Sequence, residues 1–406
     1  MTSNEVKNTI NILGINISAL NKRQILENIN KFLTDGQQHQ IVTPNPEIIL
    51  KALNDEELFY ILNNADMAIA DGIGIKIASW LSGKNIQRMT GADLVKDILK
   101  IAEKKNLKAM IFNWEKSISS SGEIKTAIDK ICPKLNLGVE TVSQEWENYN
   151  FQKVNEFRPD IIFTNLGAPW QEKFIFHNLK KVPSVKLGMG VGGSFDFLTG
   201  KMTRAPLIMR YIGLEWLWRL ILEPWRMKRI YKAIVVFILV FLKWRFILPL
   251  FYRLNIACIL FKIEGDAYKI LLVQRRDQKN HWQLPQGGTD GEDLKTAGER
   301  ELLEEIGTNK FKTAAILKNL YKYKFKDRSG KYNLFVNRAT GCKGQKQGLC
   351  IAEFFGSDKD IKINFWDHKG WKWVDAENLI KEVHPVRREA AKIFLEKFNK
   401  IIHKLS

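Results

Sequence analysis

The fold of the C-terminal third of the chain is decided by Trp282–Gly307, which has the sequence WQLPQGGTDGEDLKTAGERELLEEIG. A glycine pair and a polar turn come first, and strong helix formers follow them. Asp293 is a favourable N-cap residue, so a helix is predicted over Leu294–Glu305. A glycine follows directly after the predicted helix, where helices commonly stop.

Three carboxylates share one face of this helix. At 100° per residue Glu301, Glu304 and Glu305 point the same way, whereas Glu299 points away from them. Like charges at these spacings repel and destabilise a helix, and a hard dication would relieve the repulsion. The sequence therefore predicts a Mg²⁺ or Mn²⁺ site at these three glutamates. A solvated acidic face is the alternative.

The same stretch resembles the Nudix box, in which a glycine pair and a glutamate precede an Arg-Glu-apolar-x-Glu-Glu-x-Gly motif. The matching residues are Gly287, Gly288, Glu292, Arg300, Glu301, Glu304, Glu305 and Gly307. The resemblance implies an α/β/α sandwich, metal binding by the three glutamates, and their orientation by Arg300 through a salt bridge. It also implies catalysis at Glu304, with water attacking a phosphorus within a diphosphate. The spacing between the glycine pair and Glu292 is shorter than in the family.

Around the box the chain looks most like bacterial RNA pyrophosphohydrolases and dinucleoside polyphosphate hydrolases. The segments that carry this likeness are WQLPQGG (Trp282–Gly288), GQKQ (Gly344–Gln347) and GWKWV (Gly370–Val374). In that group an acidic residue just before the Gly-Trp pair is the general base, and Asp367 lies near that place. Arg276 and Tyr323 are candidate contacts to a nucleoside di- or polyphosphate or to 5′-phosphorylated RNA. An ordinary loop role is the alternative for all three residues.

Residues from about 8 to 201 alternate between short β-branched runs and amphipathic helical patterns. Such alternation predicts an α/β domain with a doubly wound, Rossmann-like parallel sheet that holds ligands at the carboxyl ends of its strands. Strands are predicted at Asn11–Ile17, Gln40–Val42, Met67–Ala70, Ala109–Phe112, Asp160–Thr164 and Val185–Met189. Helices are predicted at Pro46–Asn63, Gly91–Lys104 and Ser121–Lys134.

Five motifs follow predicted strands in this region. They are TPNPE (Thr43–Glu47), ADGIG (Ala70–Gly74), RMTGADL (Arg88–Leu94), LGAPWQEK (Leu166–Lys173) and GVGGSFDFLTGKMTRAP (Gly190–Pro206). Taken singly, each motif is compatible with ordinary turn chemistry, because glycine and aspartate are favoured in turns. Five of them at successive strand ends favour one shared ligand site.

Together these motifs resemble the WecG/TagA/CpsF glycosyltransferase family, over about 195 residues and in the same order. The resemblance implies transfer of an N-acetylmannosamine-type sugar from a UDP donor to a polyprenyl-diphosphate-linked acceptor, without a metal cofactor. It implies Asp71 as the general base and Thr43 and Asn45 in the sugar pocket. Arg88 and Gln171 would contact phosphates and hydroxyls of the substrates. An inverting sugar transfer requires such a base and cationic support for the leaving UDP.

One departure from that family concerns the strand Ala109–Phe112. Family members usually carry a glycine pair after it, and this chain has Asn113-Trp114. Side chains there would hinder the close approach of a nucleotide phosphate to the backbone. An N-terminal domain that docks on a membrane or RNA without catalysis, beside an active Nudix hydrolase, is therefore the alternative function.

Pro206–Arg253 differs from the rest, with nine Lys or Arg against two Glu and four of the twelve tryptophans. Its run Ala233–Leu242 is apolar on every face, but ten residues are too few for a spanning helix, which needs roughly 20. The pattern predicts a helical appendage lying on the anionic inner membrane surface. The glycosyltransferase resemblance, which extends to Arg204–Arg229, implies the same. A helical pair buried against its own domain or a partner is the alternative.

The whole chain has 406 residues and a formal net charge of +19, which predicts several domains and a polyanionic partner. The predicted limits are 1–205 for the glycosyltransferase-like domain, 206–252 for the basic appendage and 253–406 for the Nudix-like domain. Its four widely spaced cysteines indicate reduced thiols, and its first residues lack a signal peptide pattern. A cytoplasmic protein, peripheral on the membrane, is expected, and a homo-oligomer is left open.

Overall fold

The computed structural model describes residues 8–276, 278–325, 340–363 and 366–405. The chain forms two compact units, Met1–Lys243 and Trp244–Ser406. Most of the basic segment therefore belongs to the first unit. The limits predicted from the sequence for three separate segments stay predictions.

A short hairpin precedes the first sheet, formed by β1 (Thr9–Ile12) and β2 (Ile15–Ser18). A single strand was predicted over Asn11–Ile17, and that prediction was wrong. Leu13 and Gly14 adopt φ angles of 53° and 86°, which reverse the chain in a tight turn between the two strands. The apolar alternation continues through the turn, so the pattern alone does not show the reversal.

The first unit is built on a six-stranded parallel sheet with the strand order β4-β3-β8-β7-β5-β6. Its elements in chain order are α1 (Lys22–Phe32), β3 (His39–Val42), α2 (Pro46–Ala52), α3 (Glu56–Asn64), β4 (Met67–Ala68), α4 (Ile73–Leu81), α5 (Gly91–Lys104), β5 (Lys108–Trp114), α6 (Ser121–Ile131), β6 (Asn136–Val142), α7 (Gln152–Phe157), β7 (Ile161–Thr164), α8 (Trp170–Asn178), β8 (Leu187–Gly190) and α9 (Ser194–Leu198).

Alternate residues of the strands supply two separate cores. In β5, Ala109 and Ile111 join the core that includes α1, α5 and α6, whereas Met110 and Phe112 join the core that includes α7 and α8. Successive side chains of a strand point to opposite faces, so a sheet that is apolar on both faces requires helices on both. The predicted doubly wound α/β fold is confirmed.

One predicted helix is two helices in the structure. Pro46–Asn63 was expected to be continuous, but α2 ends at Ala52 and α3 begins at Glu56. The carboxylate of Asp55 accepts a hydrogen bond from the backbone N–H of Leu58 at 2.9 Å and so caps the second helix. By contrast, α5 has the bounds that the sequence predicts.

The basic segment is helical. It comprises α10 (Leu207–Ile212), α11 (Glu215–Leu222) and a longer helix from Pro224 to Leu250 that contains α12 (Met227–Tyr231) and α13 (Phe237–Leu242). The longer helix has 27 residues and is apolar and long enough to cross a membrane by length and composition. The ten-residue apolar run was judged too short to span a membrane, but the helix continues past the run at both ends and is long enough.

The two faces of this helix differ in their surroundings. Phe237 and Phe241 are fully buried, and α13 packs on α2 and α4. Gly74 of α4 permits this packing, because a Cβ there would lie 3.3 Å from the Phe237 ring and 3.1 Å from the carbonyl oxygen of Ala233. The opposite face is open, and the side chain of Leu239 is 59% exposed. As far as Lys243, where the first unit ends, the helix thus packs on that unit along one face only.

The second unit is a mixed seven-stranded sheet with the path β11-β10-β9-β14-β13, in which β12 pairs with β9 and β15 with β10. Its elements are β9 (Tyr252–Glu264), β10 (Ala267–Arg275), β11 (Trp282–Gln283), β12 (Gln286–Gly288), α14 (Leu294–Ile306), β13 (Phe311–Lys324), β14 (Gly344–Phe354), β15 (His368–Asp375), α15 (Leu379–Glu382) and α16 (Arg388–Leu405).

Two helices cover the two faces of this sheet. Cys258 of β9 belongs to the core that contains Leu302 of α14, and its neighbour Ile259 belongs to the core that contains Phe394 of α16. The predicted α/β/α sandwich is confirmed. Asp293 caps α14, because its carboxylate accepts hydrogen bonds from the backbone N–H groups of residues 295 and 296.

Phe237→Ala is expected to lower the free energy of unfolding of the first unit by about 3 kcal/mol, because it removes a fully buried ring. Leu239→Ala on the exposed face of the same helix is the control and should cost less than about 0.5 kcal/mol. Urea titration of the full chain, followed by circular dichroism, measures both changes. Equal losses would show that the Phe237 face is not packed.

Candidate active sites

The carboxyl ends of the parallel strands in the first unit open into a cavity of about 480 Å³. Each of the five sequence motifs contributes residues to its lining. Among them are all the side chains predicted for this site, Thr43, Asn45, Asp71, Arg88 and Gln171. The structure therefore brings together residues that are up to about 130 positions apart in the chain, as expected for a doubly wound sheet.

Asp71 follows β4 and is half-buried in the cavity wall. Its backbone N–H donates to the carbonyl of Pro44 at 3.0 Å, which fixes the position of the residue. Burial raises the pKa of the Asp71 carboxyl to about 6, against the opposing effects of the Arg88 charge and the Gly91 backbone N–H. A carboxylate with a pKa near neutrality has the proton affinity that general base catalysis needs.

Glu215 of α11 holds two arginines in the cavity wall. Its carboxylate lies 3.5 Å from Nη2 of Arg88 and 4.0 Å from Nη2 of Arg219. Arg88 also donates to the carbonyl of Arg210 at 3.2 Å, and the Arg219 guanidinium lies 4.9 Å from the centre of the Phe197 ring. Burial lowers the pKa of Arg219, while Glu215 and Asp71 act to raise it.

The long helix contributes Arg226 and Arg229 to the same cavity. Nε of Arg229 lies 2.5 Å from a carboxylate oxygen of Glu47, the last residue of the TPNPE motif. The sequence pattern predicts a membrane-surface role for this segment and does not place it in the site. The signal was present in the spacing, because Arg226, Arg229, Ala233 and Phe237 recur on one helix face.

The charge of the cavity favours an anionic ligand. Among the described residues that line it, seven are Lys or Arg and four are Asp or Glu, a formal excess of three positive charges. A concave site with walls of low dielectric concentrates such a field and raises the local concentration of anions. A phosphorylated ligand fits this lining.

The Asn113-Trp114 pair forms a closed hydrogen-bond network. The Trp114 backbone N–H donates to Oδ1 of Asn165 at 2.7 Å, and Nδ2 of Asn165 donates to Oδ1 of Asn113 at 2.7 Å. Nδ2 of Asn113 in turn donates to the carbonyl of Ser119 at 3.0 Å. The backbone N–H that a glycine turn would offer to a phosphate is therefore used within the protein. The Trp114 side chain lines the cavity instead.

Two smaller polar residues complete the predicted pocket. Thr43 is buried, and its hydroxyl donates to the carbonyl of Gly190 at 3.4 Å. Oδ1 of Asn45 accepts from the backbone N–H of Ile48 at 2.9 Å and caps α2, which fixes the direction of its amide. Both residues are held by the scaffold, and their roles toward a sugar stay predictions.

In the second unit, Arg300 contacts three glutamates of the box, Glu292, Glu301 and Glu304. Its Nη1 is 2.9 Å from a carboxylate oxygen of Glu301 and 3.1 Å from one of Glu304. Its Nε is 2.9 Å from Glu292, and its Nη2 donates to the carbonyl of Gly288 at 2.8 Å. Burial acts to lower the pKa of Arg300, but the bond to Glu292 and the charges of Glu301 and Glu304 raise it.

Glu301 and Glu305 are buried, while Glu304 is exposed. The backbone N–H of Gln286 donates to Oε1 of Glu305 at 3.3 Å. The Glu301 carboxylate lies against Gly287, where a Cβ would come within 2.0 Å of it. Gly287 is thus needed because the Glu301 carboxylate occupies the space of a side chain, and Gly288 leaves room for the Arg253 guanidinium, which would lie 2.2 Å from a Cβ there.

The predicted metal site has suitable donor atoms, but its three carboxylates do not converge in this structure. An all-oxygen donor set of carboxylates fits Mg²⁺ or Mn²⁺ in kind, and Gly287 leaves the room that Glu301 needs. Within the described ranges, no three His, Cys, Asp or Glu side chains come together closely enough to hold a metal ion. Glu304 is exposed and paired with Arg300, so its side chain has to turn for the three carboxylates to converge.

The other predicted Nudix residues are bound to protein partners. The Asp367 carboxylate lies 3.1 Å from Nη1 of Arg275, and Nη2 of Arg276 donates to the carbonyl of His368 at 3.2 Å. The Tyr323 hydroxyl donates to a side-chain oxygen at position 345 at 2.6 Å. His368 was not predicted from the sequence to lie near the box. It is buried, and its Nδ1 lies 4.0 Å from a carboxylate oxygen of Glu305.

The model of the glycosyl transferase WecG/TagA/CpsF family matches residues 10–249, more than half of the chain. The chain belongs to this family. It is 35% identical over 194 residues to an N-acetylglucosaminyldiphosphoundecaprenol N-acetyl-beta-D-mannosaminyltransferase of Bacillus subtilis (strain 168), covering 47% of this chain and 73% of the relative. A transferase of the same name from Staphylococcus aureus (strain MRSA252) is 30% identical over 243 residues, covering 58% and 94%.

The NUDIX domain model matches residues 251–396, so a Nudix hydrolase domain follows the glycosyltransferase domain in one chain. Similar solved structures include a C. elegans Ap4A hydrolase, 19% identical with a TM-score of 0.29, covering 37% of this chain and 98% of that one. An E. coli dihydroneopterin triphosphate pyrophosphohydrolase is 20% identical with a TM-score of 0.27, covering 36% and 99%. Likeness at this level does not identify a substrate.

Proposed function

We propose that the first unit transfers an N-acetylmannosamine-type sugar from a UDP donor to a polyprenyl-diphosphate-linked acceptor in cell-surface polysaccharide synthesis. The observation that carries the proposal is a half-buried Asp71, with a pKa raised by burial to about 6, in a cavity with a cationic excess. The names of the related transferases support the substrate class.

In this mechanism the Asp71 carboxylate takes the proton of the attacking acceptor hydroxyl. A bond forms between that oxygen and the anomeric carbon as the bond to UDP breaks, and the arginines of the cavity stabilise the departing diphosphate. The backbone N–H of Trp114 at the end of β5 is bound to Asn165 and is not available to a phosphate. We therefore expect side chains such as Arg88 and Arg219 to bind the phosphates. We expect this transfer to need no metal ion.

Asp71→Asn is expected to lower kcat for sugar transfer at least about 100-fold, because the amide cannot take a proton. Binding of UDP-N-acetylmannosamine should change little, since a base acts on the transition state. The wild-type rate should fall as the pH drops through about 6, where the carboxyl gains its proton. Asp129→Asn on the exposed surface of α6 is the control. A near wild-type rate for Asp71→Asn would show that Asp71 is not the base.

We further propose that the first unit sits on the anionic inner surface of the membrane through the open face of the long helix. Trp225 is 76% exposed and Leu239 is 59% exposed, and both belong to a segment rich in Lys and Arg. A peripheral position agrees with the packing better than a spanning one. The buried ring of Phe237 and the cavity residue Arg229 would both have to leave the domain for this helix to cross a bilayer.

The double substitution of Trp225 and Leu239 by Glu is expected to release the protein from anionic vesicles at physiological salt, as judged by co-sedimentation. Transfer to a short, soluble acceptor should persist, because neither side chain lines the cavity. The same double substitution at Trp80 and Leu53, exposed apolar residues elsewhere in the unit, is the control. Point substitutions are used in place of a deletion, because deleting the basic segment would also remove Arg226 and Arg229 from the cavity. Unaltered sedimentation would contradict docking by this face.

We propose that the second unit hydrolyses the diphosphate linkage of a nucleoside di- or polyphosphate or of 5′-phosphorylated RNA. Glu301, Glu304 and Glu305 would hold Mg²⁺ or Mn²⁺, which supplies Lewis acidity and an acidified water when bound. Arg300 orients these carboxylates through its salt bridges. Glu304 and Asp367 are the two candidates to act on water, and each carboxylate lies 3.1 Å from an arginine nitrogen that it has to leave first.

Glu304→Gln in the full chain is expected to lower Mg²⁺-dependent hydrolysis at least about 100-fold, because loss of a metal ligand should cost no less than loss of an outer-shell partner. Folding should change little, because this side chain is exposed. Triphosphorylated RNA, dinucleoside polyphosphates and UDP-sugars are the substrates to assay. Glu299→Gln is the matched control on the same helix, where the residue accepts a hydrogen bond from Thr313. Turnover that stays near wild type in Glu304→Gln would overturn the assignment.

A further inference from the structure

Gln171 and Glu172 are consecutive buried residues in the first turn of α8. Oε1 of Gln171 accepts from the backbone N–H of Gly192 at 2.9 Å, and its Nε2 donates to Oε1 of Glu172 at 2.7 Å. Gly192 and Gln171 both line the cavity. The pair thus connects the helix to the glycine-rich turn that forms part of the cavity wall.

The partners of Gln171 decide which way its amide points. A backbone N–H only donates, so it must face the amide oxygen, and the acidic oxygen at Glu172 is an acceptor for the amide nitrogen. With one lone pair of its oxygen bound to Gly192 and one N–H bound to Glu172, Gln171 retains a second lone pair and a second N–H. The second N–H can donate to an acceptor atom of a ligand in the cavity.

Packing fixes the position of the Gln171 side chain. A Cβ on Gly190 would lie 2.8 Å from Cγ of Gln171, so this side chain lies directly against β8. The amide of Gln40 donates to the backbone carbonyl of Glu172 at 3.0 Å and ties the start of α8 to β3. These contacts fix where the Gln171 amide lies, and its hydrogen bonds decide which end is the oxygen.

Burial of the Glu172 carboxyl lowers the stability of the fold. Its side chain is 1% exposed, and none of the described residues hydrogen-bonds its Oε2. Burial raises the pKa of this carboxyl to about 7, with the Gln171 bond acting in the opposite direction. A buried carboxyl with one side-chain hydrogen bond destabilises a protein relative to an apolar residue of the same size. Stability therefore does not account for a glutamate here, whereas the orientation of Gln171 does.

We propose that Glu172 is a positioning residue that acts through Gln171 and makes its amide a hydrogen-bond donor to an oxygen of the sugar nucleotide. The inference rests on the proposed transferase function of the first unit. It assigns the specificity of this point in the cavity to acceptor atoms, such as hydroxyl, carbonyl or phosphate oxygens. Glu172 itself does not contact the substrate.

The test compares Glu172→Met, which has a similar volume but accepts no comparable hydrogen bond, with Glu172→Gln, whose amide oxygen still accepts one. Calorimetry of the full chain measures Kd for UDP-N-acetylmannosamine, and assays measure KM and kcat. Glu172→Met should raise Kd and KM about 10-fold, the loss of one oriented hydrogen bond. Its Tm should hold or rise. Glu172→Gln should stay within about 3-fold of wild type.

Asn178→Leu is the control, a buried polar residue at the other end of α8 whose Nδ2 donates to the carbonyl of Phe174 at 2.8 Å. It should change Tm and leave Kd unaltered. Equal Kd values for Glu172→Met and wild type, or equal losses in the Met and Gln variants, would overturn the positioning role. A wild-type protein that binds the UDP-sugar and transfers nothing would refute the transferase proposal while the Kd comparison still decides this one.

Discussion

The packing of one face of the long helix onto α2 and α4 is the contact on which the glycosyltransferase site depends. Phe237 and Phe241 are buried there, and Gly74 of the ADGIG motif leaves the space for the approach. The same face carries Arg226 and Arg229 into the cavity. The site is therefore built from strand ends on one side and from a helix distant in sequence on the other, and neither part alone provides its charge.

Both units keep carboxylates beside arginines, but they do so for different ligands. In the described part of the first unit Asp71 is one of four acidic residues in a cavity lined by seven basic ones, which suits a substrate that carries phosphates. In the second unit Arg300 is one cation among three glutamates, which leaves an anionic cluster suited to a hard metal ion. The excess charge of each site is opposite in sign to that of the ligand proposed for it.

The sequence predicted the features that depend on local pattern. The bounds of α5, the cap at Asp293 and the two-sided sheet follow from periodicity and capping chemistry, which act over a few residues. The hairpin at Leu13-Gly14 was missed because a reversal preserves the apolar alternation. Arg226 and Arg229 were missed for another reason. Periodicity shows that a helix has a distinct face, but it does not show what that face packs against.

The long helix turns one face to the cavity and the opposite face to the surroundings. If lipid contacts hold the outer face, they also hold the inner face with Arg229 in its place against Glu47. Thermodynamic linkage then makes the effect reciprocal, so that a bound sugar nucleotide would strengthen adsorption to lipid by the same factor by which lipid strengthens nucleotide affinity. The amount of enzyme on the bilayer would in this way follow the supply of its donor.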